Sequence, residues 1–226
     1  MAYTFLNSVK ASGQYNLTTG AVDSTGADLI VIVDNAYQLA PTTPTDSQSN
    51  TWTKATEQIA TNDYDTVIWF CQNPTTSATH TFTRNETNSY GSIHVYLFSG
   101  SASSPLDQTN GVQGSGSSPQ GPGSVTPTED DELLITNIVW SATNIASISA
   151  DNGFTVQEET NYSGGNNFEG ASAYLIQGTA ATVDMDWSFT GSSGNLSICI
   201  ATFKAGTVVA GSSLPFELIY QGRQHV

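Results

Sequence analysis

Basic residues are scarce in this chain: 5 Lys and Arg stand against 20 Asp and Glu in 226 residues, for a formal net charge of -15. A nucleic-acid backbone has to be neutralised by clustered cations, so this balance speaks against a DNA or RNA partner and equally against an anionic membrane surface. No run approaches the roughly 18 continuous apolar residues of a membrane span. The first ten residues lack a charged segment followed by an apolar one, so synthesis and folding in a cytoplasm are expected. There are 2 cysteines, Cys71 and Cys199. Both lie in apolar runs, where an unpaired cysteine behaves as a small buried hydrophobe, with a disulfide as the alternative. The sequons at Asn16, Asn85, Asn161 and Asn195 mean little in a chain so rich in Ser and Thr.

Chemistry-bearing motifs are equally sparse. The histidines are His80, His94 and His225, and no spacing joins one to a Ser and an Asp as a nucleophilic set. A Gly-x-Ser-x-Gly elbow, a phosphate-cradling glycine loop and a zinc-spaced cysteine pair are all missing. Carboxylate pairs such as Glu158 with Glu159, Asp184 with Asp186, and the run Glu129, Asp130, Asp131, Glu132 would suit a glycosidase, but any acidic β protein offers them. Loop Asp and Asn residues would suit calcium, yet the Asp-x-Asp-x-Asp-Gly pattern is absent. The expectation is no enzyme, no catalytic residue, no metal and no cofactor.

What is present is an internal duplication. Leu29 in 26–33 is echoed by Leu133 in 130–139, the Asn-Thr-Trp-Thr of 50–53 by the Asn-Gly-Phe-Thr of 152–155, and 68–72 by 173–177, both ending in Gln. Further on, 93–100 matches 198–205, placing Phe98 opposite Phe203, with weaker anchors at Val9 with Val112 and Val22 with Val125. A near-constant offset over this length means two homologous units. Each is built of short Val-, Ile-, Thr- and aromatic-rich runs separated by Gly, Ser, Asn, Asp and Pro, with no 3.6-residue apolar period. The fold expected is all-β: two tandem antiparallel β-sandwiches, jelly-roll or immunoglobulin-like, followed by a C-terminal strand. The units are placed at 1–105 and 106–206, with a tail at 207–226. Both faces of 92–98 are apolar, as on a covered central strand or a sheet packed on the other unit. By the same duplication, much of the Ser/Gly-rich stretch 99–128 is the opening strand and loop of the second unit.

In the tail, Leu214, Phe216, Leu218 and Tyr220 alternate at a spacing of two, the pattern of a half-buried strand. These four are the candidate assembly contact, folding back on the chain or adding to a sheet edge of another subunit. Trp52 matches Phe154 and Trp69 matches Tyr174, which reads as shared core. Trp140 and Trp187 lack an aromatic counterpart and, with Tyr162, are the candidate glycan contacts.

The segments 18–31, 49–53, 80–83, 104–108, 123–133, 173–177 and 201–205 together resemble a family of duplicated β-sandwich proteins encoded in tailed-phage and prophage genomes. The resemblance covers about residues 1–206 and brings no catalytic residues with it. It implies a non-enzymatic virion component, located on the particle: a capsid decoration protein, a fibre or another head or tail accessory protein. Its partners would be the major capsid or tail protein, with a homo-oligomer possible. The alternative is a carbohydrate-binding module for a host surface polysaccharide.

Overall fold

In a computed structural model of the chain, the residues described are 2–38, 40–59, 64–86, 90–115, 117–142, 147–162, 168–190 and 193–207, the side chains of 141, 142, 161, 162 and 193 excepted. They form fifteen strands and no helix: β1 (Thr4–Gln14), β2 (Leu17–Thr18), β3 (Leu29–Tyr37), β4 (Thr45–Asp46), β5 (Thr53–Gln58), β6 (Tyr64–Gln72), β7 (Phe82–Arg84), β8 (Tyr90–Ser99), β9 (Ser101–Ser115), β10 (Glu132–Ala142), β11 (Ile148–Ala150), β12 (Thr155–Tyr162), β13 (Phe168–Gln177), β14 (Trp187–Phe189) and β15 (Ser193–Ala205). The Ser-rich segment after residue 99 is thus strand β9, as the duplication required.

The strands up to residue 99 form a five-stranded sheet in the order β1-β8-β3-β6-β5 and a small sheet β2-β7-β4. Those after residue 100 repeat the plan, with β9-β15-β10-β13-β12 and the pair β11-β14. Orders 1-8-3-6 and 2-7-4 are those of a jelly roll; an immunoglobulin sandwich would set its second strand beside its first and fifth. Even the irregularities repeat. A bulge falls between Lys54 and Thr56 on β5 and between Val156 and Glu158 on β12, as expected of two copies of one ancestral edge.

The ladders correct the sequence match in three places. Leu29 stands opposite Gln72 and Phe98, and Leu133 opposite Ile176 and Phe203. Gln72 therefore corresponds to Ile176 and not to Gln177, and Trp69 to Ala173, while Tyr174 answers Phe70. The slip of one residue matters because it exchanges the faces of a strand. Trp69 and Ala173 face their own unit's core, whereas Phe70 and Tyr174 face the other unit. Likewise Ala11, opposite Ile93, holds the place of Val112, opposite Ile198. Trp187 does have an aromatic counterpart, because β14 pairs with β11 as β7 pairs with β4 and sets Trp187 where β7 sets Phe82.

Three apolar layers result. One core lies between the first large sheet and its small sheet, around Trp52, Trp69, Phe82 and Val95. A second repeats it around Trp140, Phe154, Trp187 and Phe189. The third lies between the two large sheets, where Leu29, Val31, Phe70 and Phe98 of the first meet Leu133, Ile135, Ala201 and Phe203 of the second. This central layer explains why β3, β6 and β8 are buried along nearly their whole length: both faces of these strands are covered, so alternation gives way to continuous apolar runs. Across it β1 faces β12, β8 faces β13, β6 faces β15 and β5 faces β9. The units are stacked back to back about an approximate two-fold relation.

Candidate functional site

The structure gathers polar side chains in three buried places and, among the described residues, leaves the four edges of the two large sheets open. The first place is the middle of the central layer. Asn137 on β10 donates to Asn35 Oδ1 on β3 at 2.8 Å and to Thr66 Oγ1, Thr66 donates to the same Asn35 oxygen at 2.7 Å, and Cys199 Sγ lies 3.0 Å from Asn137 Oδ1. Gly170 on β13 leaves the space that Asn35 occupies, since a Cβ there would press on its amide. Beside this cluster His94 on β8 bonds Ser172 Oγ and Thr160 Oγ1, each at 2.7 Å, and the Tyr96 hydroxyl meets the same Ser172 oxygen at 2.6 Å. Burial, aided by the Lys10 charge, pushes the His94 imidazole down to about 3, so it is neutral, with one ring nitrogen donating and the other accepting. At the rim Glu158 accepts from Ser8 Oγ at 2.5 Å and pairs with Lys10 at 3.3 Å. Buried polar groups have to be satisfied, and these are satisfied across the two units, which fixes how one sheet sits on the other.

The second place is a Ser-His-Asp set that spacing did not reveal. Ser24 Oγ lies 2.9 Å from His80 Nδ1, and His80 Nε2 lies 3.0 Å from Asp46 Oδ1. Three segments far apart in sequence bring them together: the loop before β3, the end of β4, and the Val22–His80 bridge. The order Ser-His-Asp is that of a nucleophilic triad, but the ring nitrogens are interchanged, Nδ1 facing the serine and Nε2 the aspartate, and the surroundings differ as well. Ser24 is fully buried, and its hydroxyl oxygen already accepts the Ser77 N–H at 2.9 Å. Asp46 further accepts from Gln48 N at 2.7 Å and Trp52 Nε1 at 3.0 Å. No substrate atom can reach Ser24, so the set ties the 73–80 loop and Trp52 to the small sheet.

The third place is an ionic cluster. Arg84 Nε lies 2.8 Å from Asp34 Oδ1 and 2.9 Å from Glu86 Oε2, all three side chains being buried, and Thr42 N donates to Glu86 Oε1 at 2.5 Å. Gly91 lies beneath the guanidinium, where a Cβ would collide with it. Burial drives the Asp34 carboxyl up to about 8 in spite of Arg84, with Glu86 adding to the rise. In the second unit Phe189 takes the place of Arg84 and stacks on Trp140 at 5.6 Å. One copy of the fold thus fills this corner with ions and the other with rings.

The residues singled out from sequence fare unequally. Trp140 and Trp187 are 2% and 0% exposed, so neither can stack on a sugar; both are core residues of the second unit. The side chain of Tyr162 is outside what the structure describes, although its backbone pairs with Phe168. Leu214, Phe216, Leu218 and Tyr220 lie outside the described residues. Both cysteines are free and buried, in agreement with the packing reading. Of the carboxylate pairs, Glu158 is engaged as above, Glu132 accepts from Thr128 N and Glu129 N at 3.0 Å to close the turn before β10, and Asp186 is raised by burial and then by Asp151 and Asp184. No group of three or more metal-binding side chains converges among the described residues. A shallow hollow of about 540 Å³ is lined by Asn152, Leu175, Gln177 and Asp184. It opens beside the Asp151 loop and holds no nucleophile with a base.

No known family matches the chain, and neither a curated protein nor a solved structure is found to match it.

Proposed function

We propose that the chain is a non-enzymatic structural protein of a tailed-phage virion, of the capsid-decoration or head/tail accessory kind. The observation that carries the reading is the direction in which the reactive side chains point. Ser24, His80, His94, Cys71 and Cys199 are all buried and serve to hold sheets together, while the surface is acidic and framed by open strands. Such a body is built to be rigid and to be bound by others rather than to transform a small molecule. The resemblance to duplicated sandwich proteins of phages supplies the setting, and the tail carrying Leu214, Phe216, Leu218 and Tyr220 supplies a means of attachment.

The test is the protein composition of purified particles induced from the genome that encodes the chain. The reading expects the chain at a copy number comparable with the other structural proteins. Its absence from intact particles, with the chain present in the lysate, sinks the reading. The carbohydrate-binding alternative loses its two tryptophans to the core, and a glycan array without hits would remove it.

A further inference from the structure

Among the described residues the two large sheets have four open edges: β1, β5, β12 and β9. An open edge is a template for another strand, and folded proteins blunt it with charge or with bulges. Three of these edges are guarded. β1 carries Lys10, paired with Glu158. β5 carries Lys54 and Glu57 and a bulge. β12 carries Glu158 and Glu159 and the matching bulge. β9 differs. Its first part is broken by Pro105 and by two register shifts, but residues 109–115 pair one for one with 201–195 of β15. That run contains no charged residue and is exposed at every position but Gly111, with Val112 38% exposed.

We propose that residues 214–220 of a second copy of this chain add to the 109–115 edge as an antiparallel strand. The inference rests on the assembly role given to that segment above and names its seat. The match is one of length, charge and shape: seven residues on each side, a single charge in 214–220 at Glu217, and an alternating apolar face to cover Val112. For an antiparallel strand, geometry excludes the chain's own tail. The described chain ends at Thr207, where Gly206 N donates to Gly100 O at the Ser101 end of β9. An antiparallel strand in cis has to start beside Ser115, which lies opposite Asn195, ten ladder steps or about 33 Å from the Ser101 end at roughly 3.3 Å per residue. A parallel one would start beside Thr109, opposite Ala201 and only about 13 Å along, but every pairing in the two large sheets is antiparallel. The seven steps from 207 to 214 span at most about 25 Å. A second copy has no such limit, and repeated head-to-tail addition gives a ring or a chain of subunits.

The experiment uses the full chain at high and low micromolar concentration, with light scattering after size exclusion and amide hydrogen exchange read by mass spectrometry. Two variants accompany it: Phe216→Asp with Leu218→Asp in the tail, and Val112→Lys with Gln113→Lys at the exposed edge, each checked for an unchanged thermal melt. The expected result is an oligomer at high concentration whose 109–115 amides exchange about tenfold or more slowly than in either variant, both variants being monomers. A monomer whose 109–115 protection depends on the tail overturns the inference in favour of cis addition. An oligomer indifferent to both variants, or a monomer with an unprotected edge, overturns it outright. Self-association and presence in the virion are read separately, so a chain found on particles yet monomeric under all conditions defeats this inference and leaves the proposed function standing.

Discussion

Acid should pull the two units apart through His94. Its folded pKa is pushed down to about 3 by burial and then by Lys10, whereas in the unfolded chain it takes an ordinary value near 6.5. A depressed histidine binds its proton in the unfolded state first. Its contribution to stability is therefore complete above about pH 6.5 and is lost as the pH falls towards 3. Each unit of pH in that window costs about 1.4 kcal/mol, which gives about 2 kcal/mol at pH 5 and about 3 kcal/mol at pH 4 from this one group. The charged neighbours are Lys10 on β1 and Glu158 on β12, and the direct partners, Ser172 and Thr160, are neutral. Urea unfolding of the wild type and of His94→Gln, from pH 7.5 to pH 4, isolates the effect. At pH 7.5 the variant should be weaker by about 1–3 kcal/mol, because glutamine satisfies the two hydroxyls less well. The gap should narrow by about 1.4 kcal/mol per unit below pH 6.5 and close or invert near pH 5. Every other titration is common to both proteins and cancels in the difference. A gap that stays constant from pH 7.5 to pH 4 would refute the reasoning.

Asp34 acts in the opposite direction: its folded pKa is raised to about 8, so its stabilisation is full below about pH 4 and declines as the pH rises to 8. Asp34→Asn should accordingly flatten the wild-type loss of stability between pH 6 and pH 8 in urea titrations, and an unchanged slope would assign that loss elsewhere. Arg84→Met, which leaves Glu86 without its buried cation beside an already protonated Asp34, should cost about 3–5 kcal/mol at pH 7 by the same method; a cost under about 1 kcal/mol would show the cluster to be solvated. Ser24→Ala should lower stability by about 1–3 kcal/mol, and a fluorophosphonate probe should leave native Ser24 unlabelled; labelling would show the hydroxyl to be accessible and the set to be a working triad. Burial raises Cys71 to about 11 and Cys199 beyond it, so an aromatic disulfide reagent at pH 8 should react only at the rate of unfolding, and a fast phase under native conditions would contradict the packing of β6 or β15.

Much of the framework was legible because the duplication states it twice. Near-equal offsets, 104 at Leu29 and Leu133 and 105 at Phe98 and Phe203, located the paired strands, and apolar runs on both faces announced sheets covered on both sides. The exact correspondence was less legible. Gln72 and Gln177 are identical residues at positions that do not correspond, and only the ladder shows that the strand is displaced by one residue. The Ser24, Asp46 and His80 set gave no sequence signal, because its spacing of 22 and 34 residues reflects where three loops meet and no local periodicity. The one trace was His80 in the Thr-rich stretch 79–83, two residues before β7. Trp140 and Trp187 misled as glycan contacts for a related reason. Absence of an aromatic at the aligned position says nothing about exposure, and Trp187 turned out to replace Phe82 while the Trp140 ring packs against Phe189, where the first unit keeps an arginine.

By itself, then, the sequence determined the class of structure: β throughout, two units of about a hundred residues and a strongly acidic composition. Those features follow from composition and from periodicities of a few residues, which a chain carries along its length. Tertiary structure alone decided that the large sheets stack back to back, that Asn35, Thr66, His94 and Asn137 form the polar seam between them, and that the uncharged run 109–115 falls on a sheet edge. These depend on which residues meet across a hundred positions of sequence, and such meetings are set by packing and by the satisfaction of buried polar groups rather than by any local pattern.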